Sequence, residues 1–139
     1  DKKKLTVQNN LNENTKVMAD EAALKLILTN FLSNAIKHSP KKALINLAES
    51  SSSKGFIRLS VSDEGKGVPK KYKERVFERF YRIDKGRSSE TGGTGLGLSI
   101  SKNLALMMGY SVGVEANEPK GATFFIDIKV DEEKSIQAA

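Results

Sequence analysis

Three short stretches carry side chains and backbone suited to holding a flat, charged ligand. In NFLSNAIKH at 30–38, Asn30, Asn34, Lys37 and His38 fall at i, i+4, i+7 and i+8, so they share one face of a helix formed there. Carboxamide oxygens are hard ligands that suit Mg2+ when waters and phosphate oxygens complete its shell, and Lys37 beside them can offset phosphate charge. A solvated helix face, or an asparagine capping a loop, gives the same pattern. In DEGKG at 63–67, Asp63 directly follows an alternating segment. A carboxylate at a strand end can accept a hydrogen bond from an exocyclic amine such as that of adenine, and Gly65 and Gly67 let the backbone approach a flat ring. Aspartate and glycine are also ordinary turn residues. In GGTGLGL at 92–98, Thr94, Gly95, Leu96, Gly97 and Leu98 run into an apolar helical pattern. Free N–H groups at such a helix start can cradle an anion; the spacing describes a flexible joint equally well. No Gly-Lys-Ser/Thr closes the stretch, which excludes a P-loop, and no strand precedes it, which excludes the dinucleotide fingerprint.

Positioning these stretches falls to the elements around them. Residues 4–10 (KLTVQNN) alternate and predict a strand, 11–15 a polar loop, and 16–18 a short strand. Asp20 is a good N-cap, with Glu21 adding negative charge in the first turn. From there to residue 39, Leu24, Ile27, Leu28, Phe31, Leu32, Ala35 and Ile36 recur at spacings of three and four, predicting a helix that Pro40 ends. Residues 43–50 and 56–61 alternate on either side of a turn and predict an antiparallel pair. A short helix is predicted over 70–80 after Pro69, a long mobile loop over 82–93, a helix over 98–108 ending at Gly109, and a last pair of strands over 111–116 and 123–130. The sum is an α/β (α+β) two-layer sandwich, a mixed, mostly antiparallel sheet of about five strands with three main helices on one face. Residues 1–130 form the domain and 131–139 a flexible polar tail.

Composition narrows the function classes. With 139 residues, 38% apolar and 29% charged, the chain fits one soluble domain around a single core. It has no cysteine, which excludes disulfides and thiolate metal sites and agrees with a reducing, cytoplasmic setting; one histidine leaves little scope for a His-based zinc site. No apolar run approaches the roughly 20 residues of a membrane span, and DKKK at the start is not followed by a signal-peptide apolar stretch. A longer parent could still be membrane-anchored, with this part on the cytoplasmic side and making no membrane contact itself. The net charge of +6 is open to three readings: a solubilising surface, nucleic acid, or a polyphosphate ligand. Basic residues interleaved with acids, and no exposed aromatics for base stacking, speak against nucleic acid.

Taken in order, the strings closely resemble the nucleotide-binding domain of sensor histidine kinases, a branch of the Bergerat-fold superfamily that also holds gyrase and the HSP90-like chaperones. Residues 30–40 look like the N box, 63–69 the first glycine box, FERFY at 77–81 the F box, GGTGLGLSI at 92–100 the second glycine box, and GATF at 121–124 the closing strand motif. The resemblance covers residues 4–130. It implies that Asn34 coordinates Mg2+ with Asn30 as a neighbouring helper, and that Lys37 and His38 approach the phosphates. Asp63 binds the adenine amino group, Thr123 supports it from the last strand, and Gly65 and Gly67 line the base pocket. Thr94, Gly95, Leu96, Gly97 and Leu98 belong to the phosphate loop, Gly95 to Gly97 offering backbone N–H groups. Residues 82–93 are the lid over ATP, with Arg87 a phosphate contact and Tyr81 either packing the lid's root or touching ligand; Phe77 and Phe80 pack that root. Glu64 stands where asparagine is commonest and Tyr110 where a second glycine is usual, neither in a ligand role.

The implied activity is transfer of the γ-phosphate of Mg-ATP to a histidine on a separate dimerisation domain, with a response regulator downstream of the parent and this part alone a monomer. His38 lies in the N box and lacks the acidic neighbour of the family's phosphorylated histidine, so autophosphorylation by this domain alone is not expected. In the ATP-hydrolysing branch a glutamate four residues before the metal-binding asparagine activates water; here Asn30 stands there and cannot act as a base. A serine kinase of the anti-sigma type and a non-catalytic ATP-sensing or partner-binding module are the remaining readings.

Overall fold

A computed structural model describes residues 4–12, 15–78 and 97–131. The elements are β1 (Thr6–Asn10), α1 (Glu21–His38), β2 (Leu44–Ser51), β3 (Phe56–Ser62), two 3-10 turns (Lys70–Tyr72 and Arg75–Phe77), α2 (Gly97–Met107), β4 (Ser111–Ala116) and β5 (Ala122–Lys129). The five strands form one sheet in the order β1-β2-β3-β5-β4, parallel between β1 and β2 and antiparallel elsewhere.

Local chemistry sets the helix that matters most. The Asp20 side chain accepts from the Ala23 N–H at 2.9 Å and starts α1; Ser39, in extended conformation, ends it, its N–H returning to the Ala35 carbonyl. Its apolar residues lie on one stripe, with Ile27, Phe31 and Ala35 fully or almost fully buried. In β5 alternate residues Ala122, Phe124, Ile126 and Ile128 are buried, the period of a sheet with one covered face. The core joins them: Phe31 meets Phe124 with ring centroids 5.8 Å apart, Phe77 meets Phe124 at 6.0 Å, and Ile45, Leu59, Val61 and Ala105 complete the cluster.

The opposite face of the sheet is polar but tied together. Arg58 of β3 grips Asp127 of β5 with two hydrogen bonds of 2.8 and 3.1 Å and reaches Glu115 of β4 at 3.0 Å. Its guanidinium lies 3.6 Å above the centre of the Phe125 ring, covering that aromatic from solvent. The hydrogen bonds that Arg58 donates to Asp127 outweigh the partial burial and hold the Arg58 pKa above that of an ordinary arginine.

Two expectations need correction. The helix predicted over 70–80 is, over its described part, two separate 3-10 turns closed by i→i+3 bonds from Lys73 to Lys70 and from Glu78 to Arg75. So short a segment cannot offset helix nucleation by itself; two tight turns bury Val76 and Phe77 while leaving Lys70, Lys71, Glu74 and Arg75 in solvent. Two main helices, rather than three, therefore cover the sheet among the described residues. The short strand predicted at 16–18 is a single bridge between Val17 and Val130, flanked by bonds from Met18 N–H to the Lys129 carbonyl and from Asp131 N–H to the Lys16 carbonyl.

Because Phe31 is completely buried and stacked on Phe124, Phe31→Ala should lower unfolding stability by about 3–5 kcal/mol. A shift of the denaturant midpoint at unchanged slope measures this; a loss below about 1 kcal/mol contradicts the placement of the core.

Candidate functional site

Asp63 sits one residue past the end of β3, at 2% exposure among the most buried side chains described. Both backbone donors that reach it bond the same oxygen: Gly65 N–H to Oδ1 at 2.9 Å and Ala122 N–H to Oδ1 at 3.1 Å. Neither uses Oδ2, which keeps its acceptor capacity for another donor. The main chain is fixed as well, since Asp63 N–H bonds the Ala122 carbonyl at 2.8 Å and the Asp63 carbonyl accepts from Asn117 Nδ2 at 2.7 Å.

Close backbone approach explains the glycines. A Cβ on Gly65 would lie 2.3 Å from the His38 carbonyl oxygen, so the turn after β3 is pressed against the C-terminal end of α1. Gly67 has φ +80 and Gly121 φ +110, and a Cβ on Gly121 would stand 1.9 Å from the Asp63 carbonyl oxygen. The turn at 63–67 and the start of β5 are thus stacked backbone on backbone, and this stacking brings the acid beside the polar end of α1.

On α1, Asn30 donates through Nδ2 to the Gly97 carbonyl and to Ser101 Oγ, both at 3.1 Å, pinning the first turn of α2. Only its Oδ1 is left to offer a cation. Half-buried Asn34, one turn on, has no side-chain partner among the described residues. Lys37 and His38 occupy the last turn, where positive charge complements the helix dipole. Gly97 and Leu98 open α2, Leu98 packing partly against the core. The Thr123 hydroxyl pairs with that of Ser62 at 2.7 Å, one residue from the Ala122 N–H that donates to the Asp63 carboxylate. Phe80, Tyr81, Arg87, Thr94, Gly95 and Leu96, and the whole of the lid at 82–93, lie outside the described residues.

The two departures from the family pattern have structural work of their own. Glu64 Oε1 accepts from the Leu44 N–H at 2.7 Å, continuing the β2–β3 ladder by a side chain, and the Tyr110 hydroxyl bonds the Met18 carbonyl while its ring meets Phe56 edge-on.

Comparison with known proteins places the fold in a family. The family model for histidine kinase-, DNA gyrase B- and HSP90-like ATPases matches residues 19–132. The chain belongs to this ATPase family. Within it, the domain is 38% identical over 119 residues to the sensor histidine kinase WalK of Bacillus subtilis, covering 85% of this chain but 20% of WalK. The crystal structure of full-length ShkA in complex with AMPPNP superposes with a TM-score of 0.77 at 32% identity, over 93% of this chain and 26% of ShkA. The histidine kinase ThkA in complex with the response regulator TrrA superposes at 0.74 with 26% identity, over 96% of this chain and 36% of ThkA. This ATPase domain therefore spans about a fifth to a third of the length of these relatives.

Asn117 and Ala122 escaped sequence reading. An asparagine in a hairpin loop looks like a turn former, and an alanine acting through its N–H leaves no side-chain signal.

Gly121→Ala and Gly109→Ala separate strain from contact. Both glycines have positive φ, but a Cβ on Gly109 meets nothing within 4 Å. Gly109→Ala should cost about 1 kcal/mol and Gly121→Ala at least about 2 kcal/mol more. Equal losses in chemical denaturation contradict the backbone stacking.

Proposed function

We propose that this domain binds Mg-ATP and donates the γ-phosphate to a histidine carried on a separate dimerisation domain of a two-component sensor kinase. The observation that carries the reading is the buried Asp63 carboxylate, with Oδ1 held by two backbone N–H groups and Oδ2 taken by neither. Adenine presents an amine donor where guanine and hypoxanthine present a carbonyl, so a fixed acceptor selects it.

The phosphates would extend from there toward the C-terminal end of α1. The donor set fits a hard cation: Asn34 supplies an amide oxygen with no competing side-chain partner among the described residues, and Asn30 can add Oδ1. The described residues hold no group of three or more His, Cys, Asp or Glu for a metal, so phosphate oxygens and waters would complete the shell. Mg2+ bound there would neutralise charge on the phosphates during transfer. Lys37 adds a second positive charge, and Arg87 with the N–H groups of Gly95, Leu96 and Gly97 are assigned to the phosphates by family resemblance.

Phosphoryl transfer asks the protein mainly for positioning and charge compensation. The nucleophile comes from outside, because the chain's one histidine, His38, ends α1 within this site. No carboxylate stands at Asn30 to activate water, and its amide is already bonded to α2, which favours transfer over hydrolysis. The partners are the histidine-bearing domain and, downstream of the parent, a response regulator; the domain by itself is a monomer. No helix among the described residues is long and apolar enough to cross a membrane.

The test is to mix the domain, ATP and Mg2+ with a matching histidine-bearing domain and follow acid-labile phosphohistidine. Label is expected on the added domain and not on this one. Asp63→Asn should weaken ADP binding at least about tenfold. Asn34→Asp should alter ATP affinity in the presence of Mg2+ while leaving affinity in chelator within about twofold. No binding at millimolar nucleotide, or unchanged affinity and transfer in both variants, overturns the proposal.

A further inference from the structure

The hairpin joining β4 to β5 reaches back to the buried acid through one side chain. Strands β4 and β5 are paired up to Ala116 and Ala122, and residues 117–121 form the connection. Asn117 closes that connection, its backbone N–H donating to the Gly121 carbonyl at 3.1 Å. Its side-chain Nδ2 crosses to the Asp63 carbonyl at 2.7 Å, a contact between residues 54 apart in sequence. Gly121, the far end of the same connection, sits with its α-carbon against the Asp63 and Glu64 backbone, and a Cβ on Gly67 would meet the Gly121 carbonyl at 2.9 Å.

We infer that Asn117 is a positioning residue for base selection: it sets the rotation of the Asp63–Glu64 peptide and so the direction in which Asp63 Oδ2 points. This rests on the reading of Asp63 as the adenine acceptor. Asp63 N–H and Oδ1 are both tied to Ala122, the Asp63 carbonyl to Asn117 and Oδ1 again to Gly65. The Ala122 bonds fix where the residue stands along the sheet. The Asn117 bond holds, beside the packing of Gly121, the carbonyl of the rigid peptide leaving it, whose direction sets that of the Glu64 N–H. Without a donor at 117, the Asp63–Glu64 peptide can rotate, which displaces the start of the turn that carries the Gly65 N–H to Oδ1 one peptide further on, and the carboxylate loses its fixed aim. A hydrogen bond to a base discriminates by direction as well as by presence. The contact is therefore expected to act on base choice and not on the phosphates, which lie toward α1.

The experiment compares ADP with IDP, whose base carries a carbonyl in place of the amine, by calorimetric titration of the domain and its variants. The unaltered domain should prefer ADP at least about tenfold. Asn117→Ala and the isosteric Asn117→Asp, which has no N–H donor, should each lower that ratio about fivefold or more while IDP affinity stays within about twofold. Asn117→Ser, which keeps a hydroxyl donor, should hold more of the ratio than Asn117→Ala; it carries the comparison if the alanine variant does not fold. A parallel loss for both nucleotides, as general destabilisation would give, or an unchanged ratio in folded variants, overturns the inference. Preference lost in Asp63→Asn but kept in the Asn117 variants sinks this inference alone; no ADP preference in the unaltered domain sinks the Asp63 reading with it.

Discussion

A carboxylate at 2% exposure, with two backbone N–H groups on one of its oxygens, is the constraint around which the ligand end of the domain is arranged. Burying such a group without donors costs several kcal/mol. The chain must therefore bring two separate backbone segments into hydrogen-bonding distance of one side-chain atom. The Gly65 N–H comes from the turn that Asp63 itself opens, and the Ala122 N–H from the first residue of β5. Space for both exists only because 65 and 121 carry no side chain, which makes those glycines steric requirements of the acid and not merely turn formers.

The rest of the fold can be followed outward from that point. Register between β3 and β5 pairs Ser62 with Thr123, which sets Asp63 opposite Ala122. The buried alternation of β5, from Ala122 to Ile128, holds the register, since a slip by one residue would turn Phe124 and Ile126 into solvent. Packing of Phe31 on Phe124 fixes the rotation of α1, and its C-terminal end then abuts Gly65. Asn30 carries the same order to α2 through the Gly97 carbonyl and Ser101. The turn that carries the acid, the end of α1 and the start of α2 are thus linked through Gly65 against His38 and Asn30 on Gly97 and Ser101.

How much of this was readable in advance depended on the kind of signal. Strands expected from alternation at 43–50, 56–61, 111–116 and 123–130 fall within one residue of those observed, and the apolar stripe of α1 holds, because burial on one face imposes a period. Asp63 stands out in the sequence as a carboxylate at a strand end, but Asp and Gly also make ordinary turns, and its burial and its two backbone donors on one oxygen are visible only in the fold. The helix expected over 70–80 after Pro69 is, over its described part, two 3-10 turns, because so short a segment has too few residues to sustain a helix. That the Ala122 N–H donates to Asp63 while the Thr123 hydroxyl pairs with Ser62 is a distinction only register can make. Asn117 gave no signal at all, since its importance comes from a contact across 54 residues.

The central claim is that this acid, ready-held before ligand arrives, is the seat of an adenine. The most direct measurement is a crystal structure of the domain with Mg2+ and a non-hydrolysable ATP analogue, inspected for the purine. The account predicts the exocyclic amine within hydrogen-bonding distance of Asp63 Oδ2, with Oδ1 still on Gly65 and Ala122 and the phosphates running toward Asn34. A purine bound elsewhere, or an Asp63 that must abandon its two backbone donors to meet it, contradicts the account.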